Sequence, residues 1–190
     1  MFIIGFGGPA EHGKSTCANI AEEYLKELGL TVKVISFADK LKEVCKIMFR
    51  LTDRDVNTTV GKATYRAHIG TTPREVMQKF GTEICRNGIS THLPSISSTI
   101  WTWNVEQDIL DLKSQVDVII IPDVRFPDEL EMLRKFELVF INVQRPGLGE
   151  VSLQHSSEAG LPEADYEVEN NTTLSDLKIK ITALVAYIIN

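Results

Sequence analysis

The 190-residue chain is poor in cysteine, in basic charge and in long apolar runs, and each shortage removes a class of protein. Its three cysteines, Cys17, Cys45 and Cys85, are odd in number and far apart. They form no C-x-x-C pair near histidines, so neither a zinc site nor a disulfide framework is indicated and they read as reduced thiols. Twenty Lys and Arg against 26 Asp and Glu leave a formal net charge of -6. That balance argues against an extended basic face for a nucleic-acid polymer, and any anionic ligand must be met by locally placed cations. The apolar start Phe2-Ile3-Ile4 lacks a basic leader and is soon followed by Glu11 and Lys14. Neither a signal peptide nor a membrane span is expected, and a cytoplasmic location is. The chain also lacks internal repeats, low-complexity tracts and an interdomain linker. With 43% hydrophobic and 24% charged residues it reads as one globular domain, 1–190, large enough to bury a core.

What is present begins with glycine placed before a lysine and two hydroxyls. In "GFGGPAEHGKST" the residues Gly8, Gly13, Lys14 and Ser15 satisfy G-x-x-x-x-G-K-[ST], a loop whose backbone N–H groups close around a polyphosphate. The context is right for it. Phe2 to Phe6 reads as a buried strand, and "STCANIAEEYLKELGL" repeats apolar residues at helical spacing. A turn at Gly29, a strand "TVKVISF" and a helix "ADKLKEVCKIMFRL" continue the alternation. This rhythm predicts a three-layer α/β fold of the P-loop NTPase kind, a mostly parallel sheet flanked by helices.

Further along, 51–67 is polar and reads as an irregular, mobile or substrate-covering segment. In "TTPREVMQKFGTEICRNG" Thr72 caps a helix that starts at Pro73, with Glu75 completing a capping box. "VDVIII" reads as a strand stopped by Pro122, followed by a helix "ELEMLRKF" and a strand "LVFINV". A polar stretch over 145–171, a second candidate lid, precedes a last amphipathic helix, "LSDLKIKITALVAYII".

The loop chemistry assigns Lys14 to the β- and γ-phosphates of a bound polyphosphate, Ser15 to Mg²⁺, and the N–H groups from His12 to Thr16 to the cradle, with the backbone of His12 sufficing. Asp123, beyond the apolar strand, is placed near the metal in an outer-shell role, and Arg125 within reach of the same crevice. Asp39 and Lys42 are either ligand-side groups or an i,i+3 surface ion pair. Arg74 sits in a helix's first turn, where positive charge is mildly unfavourable and a bound phosphate would account for it. Gln78 and Arg86, two helical turns apart, are placed to share a face. Of Trp101 and Trp103, one is assigned to the core and the other to stacking on a base. His155, in "QHSSE", belongs to a polar loop.

Taken in order, "GPAEHGKST", "ISFADKLKEVCK", "TPREVMQKFGTEICR", Ile100-Trp101, "VIIIPDVRFPDELEMLRK", "HSSE" and "ENNTTLSDL" resemble the phage-type deoxynucleoside monophosphate kinases. The resemblance spans most of the chain. It implies ATP-dependent phosphoryl transfer to a deoxynucleoside monophosphate, with lysine and arginine as the catalytic cations, here Lys14 and Arg125. It also implies a donor site at Gly8 to Thr16 and an acceptor site drawn from Phe37, Ala38, Asp39, Lys42, Arg74, Gln78, Arg86, Trp101 and Arg125. Many relatives carry aspartate where this chain has Ser15, and the hydroxyl here restores an ordinary Mg²⁺ ligand. A kinase of another small molecule, such as dephospho-coenzyme A, is the nearest alternative, and an ATPase switch a more distant one. The sequence leaves base preference and homodimer formation open.

Overall fold

The computed structural model of the protein describes residues 1–93, 99–147 and 163–189. These form two compact units, one comprising Met1–Ser36 with Glu106–Asn190 and the other Phe37–Val105. In chain terms the second is inserted between two strands of the first.

The first unit is built on a five-stranded parallel sheet in the order β2-β3-β1-β4-β5. The strands are β1 (Phe2–Gly7), β2 (Val32–Val34), β3 (Val118–Val124), β4 (Leu138–Gln144) and β5 (Tyr166–Glu169). The inner strands are apolar without alternation because both faces are covered, as parallel crossovers require. Ile4, Phe6, Ile120, Ile141 and Val143 pack with α1 (Lys14–Glu27) and α9 (Leu174–Ile188) through Cys17, Ala21, Leu25, Leu177, Ile181 and Val185. Ile3, Ile119, Ile121 and Phe140, which alternate with them, are fully buried too. Thr173 starts α9 with a capping box: its hydroxyl takes the Asp176 N–H, and the Asp176 carboxylate reaches back to the Thr173 N–H.

Three readings of this unit are corrected. Pro122 does not stop β3, which runs on to Val124. The pairing with β1 slips between Gly5 and Gly7, opposite Ile121 and Val124. Proline has no N–H to give a ladder, and an irregularity is where a strand tolerates one. Part of 145–171, taken as polar connection throughout, is β5, whose Tyr-Glu-Val-Glu alternation buries Val168. Residues 148–162 of that candidate lid, including His155, lie outside the described residues. Finally, β2 is confined to Val32–Val34, and Phe37 opens a helix instead of ending a strand.

The second unit is helical. It contains α2 (Phe37–Phe49), α3 (Asp53–Asn57), α4 (Thr59–Ala63), α5 (Pro73–Gln78), a π-helical stretch Lys79–Ile89, the single turn α6 (Ser90–His92) and the start of α7 (Ile100–Leu112). The segment expected to be irregular therefore contains two short capped helices. Leu51 and Val56 are buried with Cys45 against Leu41, Phe49, Met77 and Phe80. All three cysteines are buried and free, and burial pushes the Cys45 thiol up to about 12.

Asp55 holds this segment together. Its carboxylate accepts from the Thr52 amide at 2.9 Å, the Thr52 hydroxyl at 2.8 Å and the Arg66 Nε at 2.8 Å, with a second contact from Arg66 Nη2. Burial opposes ionisation of Asp55, but the Thr52 amide, the Arg66 guanidinium and the Thr52 hydroxyl outweigh it and bring the carboxyl from 3.8 to about 2. A depressed carboxyl adds stability that is present above the unfolded-state value and is lost as pH falls through the folded one. Asp55→Asn should therefore lower the melting temperature at neutral pH by roughly 5–10 °C, for a loss of about 3 kcal/mol. Between about pH 4 and pH 2 that deficit should close, because the parent is then losing the same contribution. Melting curves across this range check the result.

Candidate active site

Strand β1 ends at Gly7, and the chain turns through Gly8–Gly13 into α1. Two glycines make this turn possible. Gly8 has φ 124°, and a Cβ there would stand 2.2 Å from the Val143 carbonyl oxygen of β4. Gly13, with φ 99°, precedes the first helical residue, and a Cβ there would meet Asn170 Nδ2 at 2.4 Å. Neither conformation suits an L side chain, and neither position has room for one. Glu11 also adopts a left-handed conformation, φ 66°, within the same loop.

Lys14 does not extend into water. It is 7% exposed, and its Nζ donates to the carbonyl oxygens of Gly8 at 2.7 Å and Pro9 at 2.6 Å. The ammonium thus spans the turn from the inside and sits against two acceptors of the kind that phosphate oxygens would supply. Ser15 is exposed in the first turn of α1, and Thr16 is half-buried beside it. His12 is half-buried, its Nδ1 accepting the Arg145 N–H at 3.0 Å and its carbonyl accepting from Asn170 Nδ2 at 3.0 Å. Burial first, then the charges of Lys14 and Arg145, lower its pKa below the ordinary 6.5.

On the neighbouring strand Asp123 lies inside β3, not beyond it, and its carboxylate accepts from Ser36 Oγ at 2.6 Å. Ser36 follows β2, so the hydroxyl orients the carboxylate from the next strand end. Arg125 is exposed just after β3. Its backbone N–H donates to Glu129 Oε2 at 2.8 Å, and the Phe126 N–H donates to the same oxygen at 3.1 Å. Glu129, 3% exposed at the start of α8 (Pro127–Leu133), is a buried carboxylate that fixes the backbone carrying Arg125. Ser36, Glu129 and Asn170, which contact the candidate residues Asp123, Arg125 and His12, are not singled out by motif reading.

A divalent cation fits these donors. A serine hydroxyl and an oriented carboxylate are hard oxygen ligands, and Mg²⁺ keeps most of its shell from phosphates and water, so few protein groups are needed. No cluster of three or more His, Cys, Asp or Glu with metal-holding geometry occurs among the described residues.

The expected acceptor residues, Arg125 apart, belong to the second unit. Phe37 and Ala38 open α2, with Phe37 buried. Asp39 and Lys42 form the i,i+3 ion pair, 3.4 Å apart. The Thr72 hydroxyl caps α5 through the Glu75 N–H at 3.3 Å, but the Glu75 carboxylate is taken up by the Thr71 hydroxyl and by Lys79 at 2.8 Å instead of closing a capping box. Arg74 projects exposed from the first turn of α5. Gln78 and Arg86 do not share an exposed face: Gln78 is exposed and Arg86 is 8% exposed. Between them runs the π-helical stretch Lys79–Ile89, whose wider turns differ from the α-helical spacing. Trp101 takes the core role, 7% exposed with its Nε1 donating to the Gly81 carbonyl at 2.8 Å, whereas Trp103 is 42% exposed. Leu41 packs so closely on Gly81 that a Cβ there would meet Leu41 Cδ2 at 2.7 Å. Gly81 is thus the point where α2, the π-helical stretch and the start of α7 converge.

Comparison with solved structures places the fold. APS kinase of Mycobacterium tuberculosis, in complex with AMPPNP and APS, is similar over 97% of this chain and 97% of its own, with a TM-score of 0.53 at 10% identity. Among sequences, a protein of Acanthamoeba polyphaga mimivirus named as a deoxynucleotide monophosphate kinase is 31% identical over 97% of this chain and 96% of its own. The deoxynucleotide monophosphate kinase of Enterobacteria phage T4 is 32% identical over 57% of this chain and 43% of its own. The deoxynucleotide monophosphate kinase family model matches residues 19–181, beginning inside α1 just beyond the glycine loop. By that match, and by a relative aligned along nearly its whole length, the chain belongs to the deoxynucleotide monophosphate kinase family.

Proposed function

We infer that the protein transfers the terminal phosphoryl group of ATP to a deoxynucleoside 5'-monophosphate, giving ADP and the deoxynucleoside diphosphate. The observation that carries this reading is a lysine-spanned glycine loop between β1 and α1 in a chain of this family. Lys14 is held on the Gly8 and Pro9 carbonyls by bonds that phosphate oxygens can replace, so a bound polyphosphate meets an ammonium already in place. The N–H groups from His12 to Thr16 cradle the phosphates at the head of α1. Ser15 would ligate Mg²⁺ directly and Asp123 through water, and the ion when bound neutralises charge on the phosphate oxygens.

Phosphoryl transfer asks for alignment and charge neutralisation and little covalent help. Arg125 meets charge that grows on the transferred group, its backbone fixed by Glu129. Arg74 offers a planar two-pronged donor to the acceptor monophosphate. Arg86, Asp39, Lys42, Gln78, Phe37 and Ala38 complete the acceptor side, and Trp101 supports it from the core through Gly81. The lid role expected of 51–67 would fall to a helical element held together by the Asp55–Arg66 ion pair.

A panel of acceptors with labelled ATP tests the reading. Deoxynucleoside monophosphates should yield ADP and the diphosphate in equal amounts. Phosphorylation of dephospho-coenzyme A alone would return the other small-molecule kinase, and ADP formed with no phosphorylated product would mark an ATPase.

A further inference from the structure

The phosphate loop is tied down from behind by a residue far from it in sequence. Asn170, immediately after β5, donates from its side-chain amide to the His12 carbonyl at 3.0 Å, and its own N–H goes to the Gln144 carbonyl at 2.7 Å. Arg145, the first residue beyond β4, gives its N–H to His12 Nδ1 at 3.0 Å. His12 is therefore held by its ring and by its carbonyl from the ends of two strands, which pair through Gln144 and Glu169. The lowered pKa of His12 keeps the ring in the neutral form that the Arg145 N–H requires.

We propose that Asn170 is a positioning residue for the donor phosphates, acting through the His12–Gly13 peptide. The two polar groups of a trans peptide point in opposite directions. With the His12 carbonyl fixed on Asn170, the Gly13 N–H is aimed away from β5 and kept available to a phosphate oxygen. The fit is reciprocal, because Asn170 Nδ2 occupies the space that a Cβ at Gly13 would need, 2.4 Å away. Glycine at 13 thus admits the left-handed turn and also the amide that orients the peptide before it. An unheld peptide can rotate, and the cradle then loses a donor until binding reorders it.

The inference rests on Gly8–Thr16 being the phosphate site, and its test is a binding titration that does not depend on turnover. Parent, Asn170→Ala and Asn170→Asp proteins are titrated calorimetrically with ATP, with inorganic tripolyphosphate, each with Mg²⁺, and with a deoxynucleoside monophosphate. Asn170→Ala should weaken ATP and tripolyphosphate by a similar factor, about tenfold for one lost orienting bond. The monophosphate should be unaffected. Asn170→Asp keeps the shape and the bond to Gln144 but turns an acceptor toward the His12 carbonyl, so it should weaken both polyphosphates further. It also answers the question if the alanine protein fails to fold. Weakening confined to ATP would put Asn170 on the nucleoside portion of the ligand and overturn the proposal. Unchanged affinity for both polyphosphates would do the same. A parent that binds tripolyphosphate yet phosphorylates no monophosphate would sink the kinase reading and leave this one standing.

Discussion

Lys14→Ala should lower turnover by roughly 10²–10³-fold while costing about 1 kcal/mol of stability. The disproportion follows from what the ammonium touches. It donates to the carbonyl oxygens of Gly8, half-buried, and Pro9, exposed, on a loop at the end of the sheet. Once the ammonium is gone, water can hydrate both oxygens, so neither carbonyl is left a buried orphan. The residue is nonetheless almost wholly enclosed, where the sequence reads as a charge on a surface loop. In a dry site the ammonium acts on phosphate charge far more strongly than it would in water. Steady-state kinetics and thermal unfolding, measured on the same samples, separate the two effects. Activity within a fewfold of the parent would remove the donor-site assignment.

Arg125→Ala should reduce kcat by about 10²-fold with a much smaller change in the KM for ATP. The guanidinium is exposed and the backbone beneath it is held by Glu129 at 2.8 Å, so truncation leaves the support of the residue intact. Only an interaction that strengthens as charge develops lowers kcat and kcat/KM together. Arg125→Lys should recover part of the loss, since the charge returns without the planar fork. A raised KM with unchanged kcat would make Arg125 a ground-state binder.

The strand, loop and helix around Lys14 are legible in the sequence because they are consecutive: an apolar run, glycines and a helical repeat sit within one short stretch. The contacts that hold this loop and orient the carboxylate on the neighbouring strand are not, since Asn170 and His12 are 158 positions apart and Ser36 and Asp123 are 87 apart. Short polar side chains also carry no periodicity that would point to their partners. The two helices of 51–67 escaped because each is too short to show a repeat, although Thr52, three residues before Asp55, carries the cap signature. Pro122 misled for a physical reason. A proline is compatible with a strand where the ladder is irregular, and irregularity is a property of pairing between strands. The spacing argument for Gln78 and Arg86 assumes α-helical turns where the chain makes π-helical ones. Glu129 was within reach: proline followed two residues later by glutamate is the opening of a capped helix, here Pro127 and Glu129.

The strand order carries a consequence for how the molecule comes into being. The first strand to leave the ribosome is the middle one of the sheet, and it must wait for both neighbours: Phe2 pairs opposite Val118, and Ile3 opposite Leu138. Phe37–Val105, by contrast, is continuous in the chain and closes on nearer contacts. Long-range parallel pairing is slow because loop closure precedes its reward. Synthesis therefore delivers the inserted unit whole while the sheet still lacks three strands. The glycine loop acquires its backing only after Asn170 has been made, so a loop translated before the inserted unit becomes competent after it.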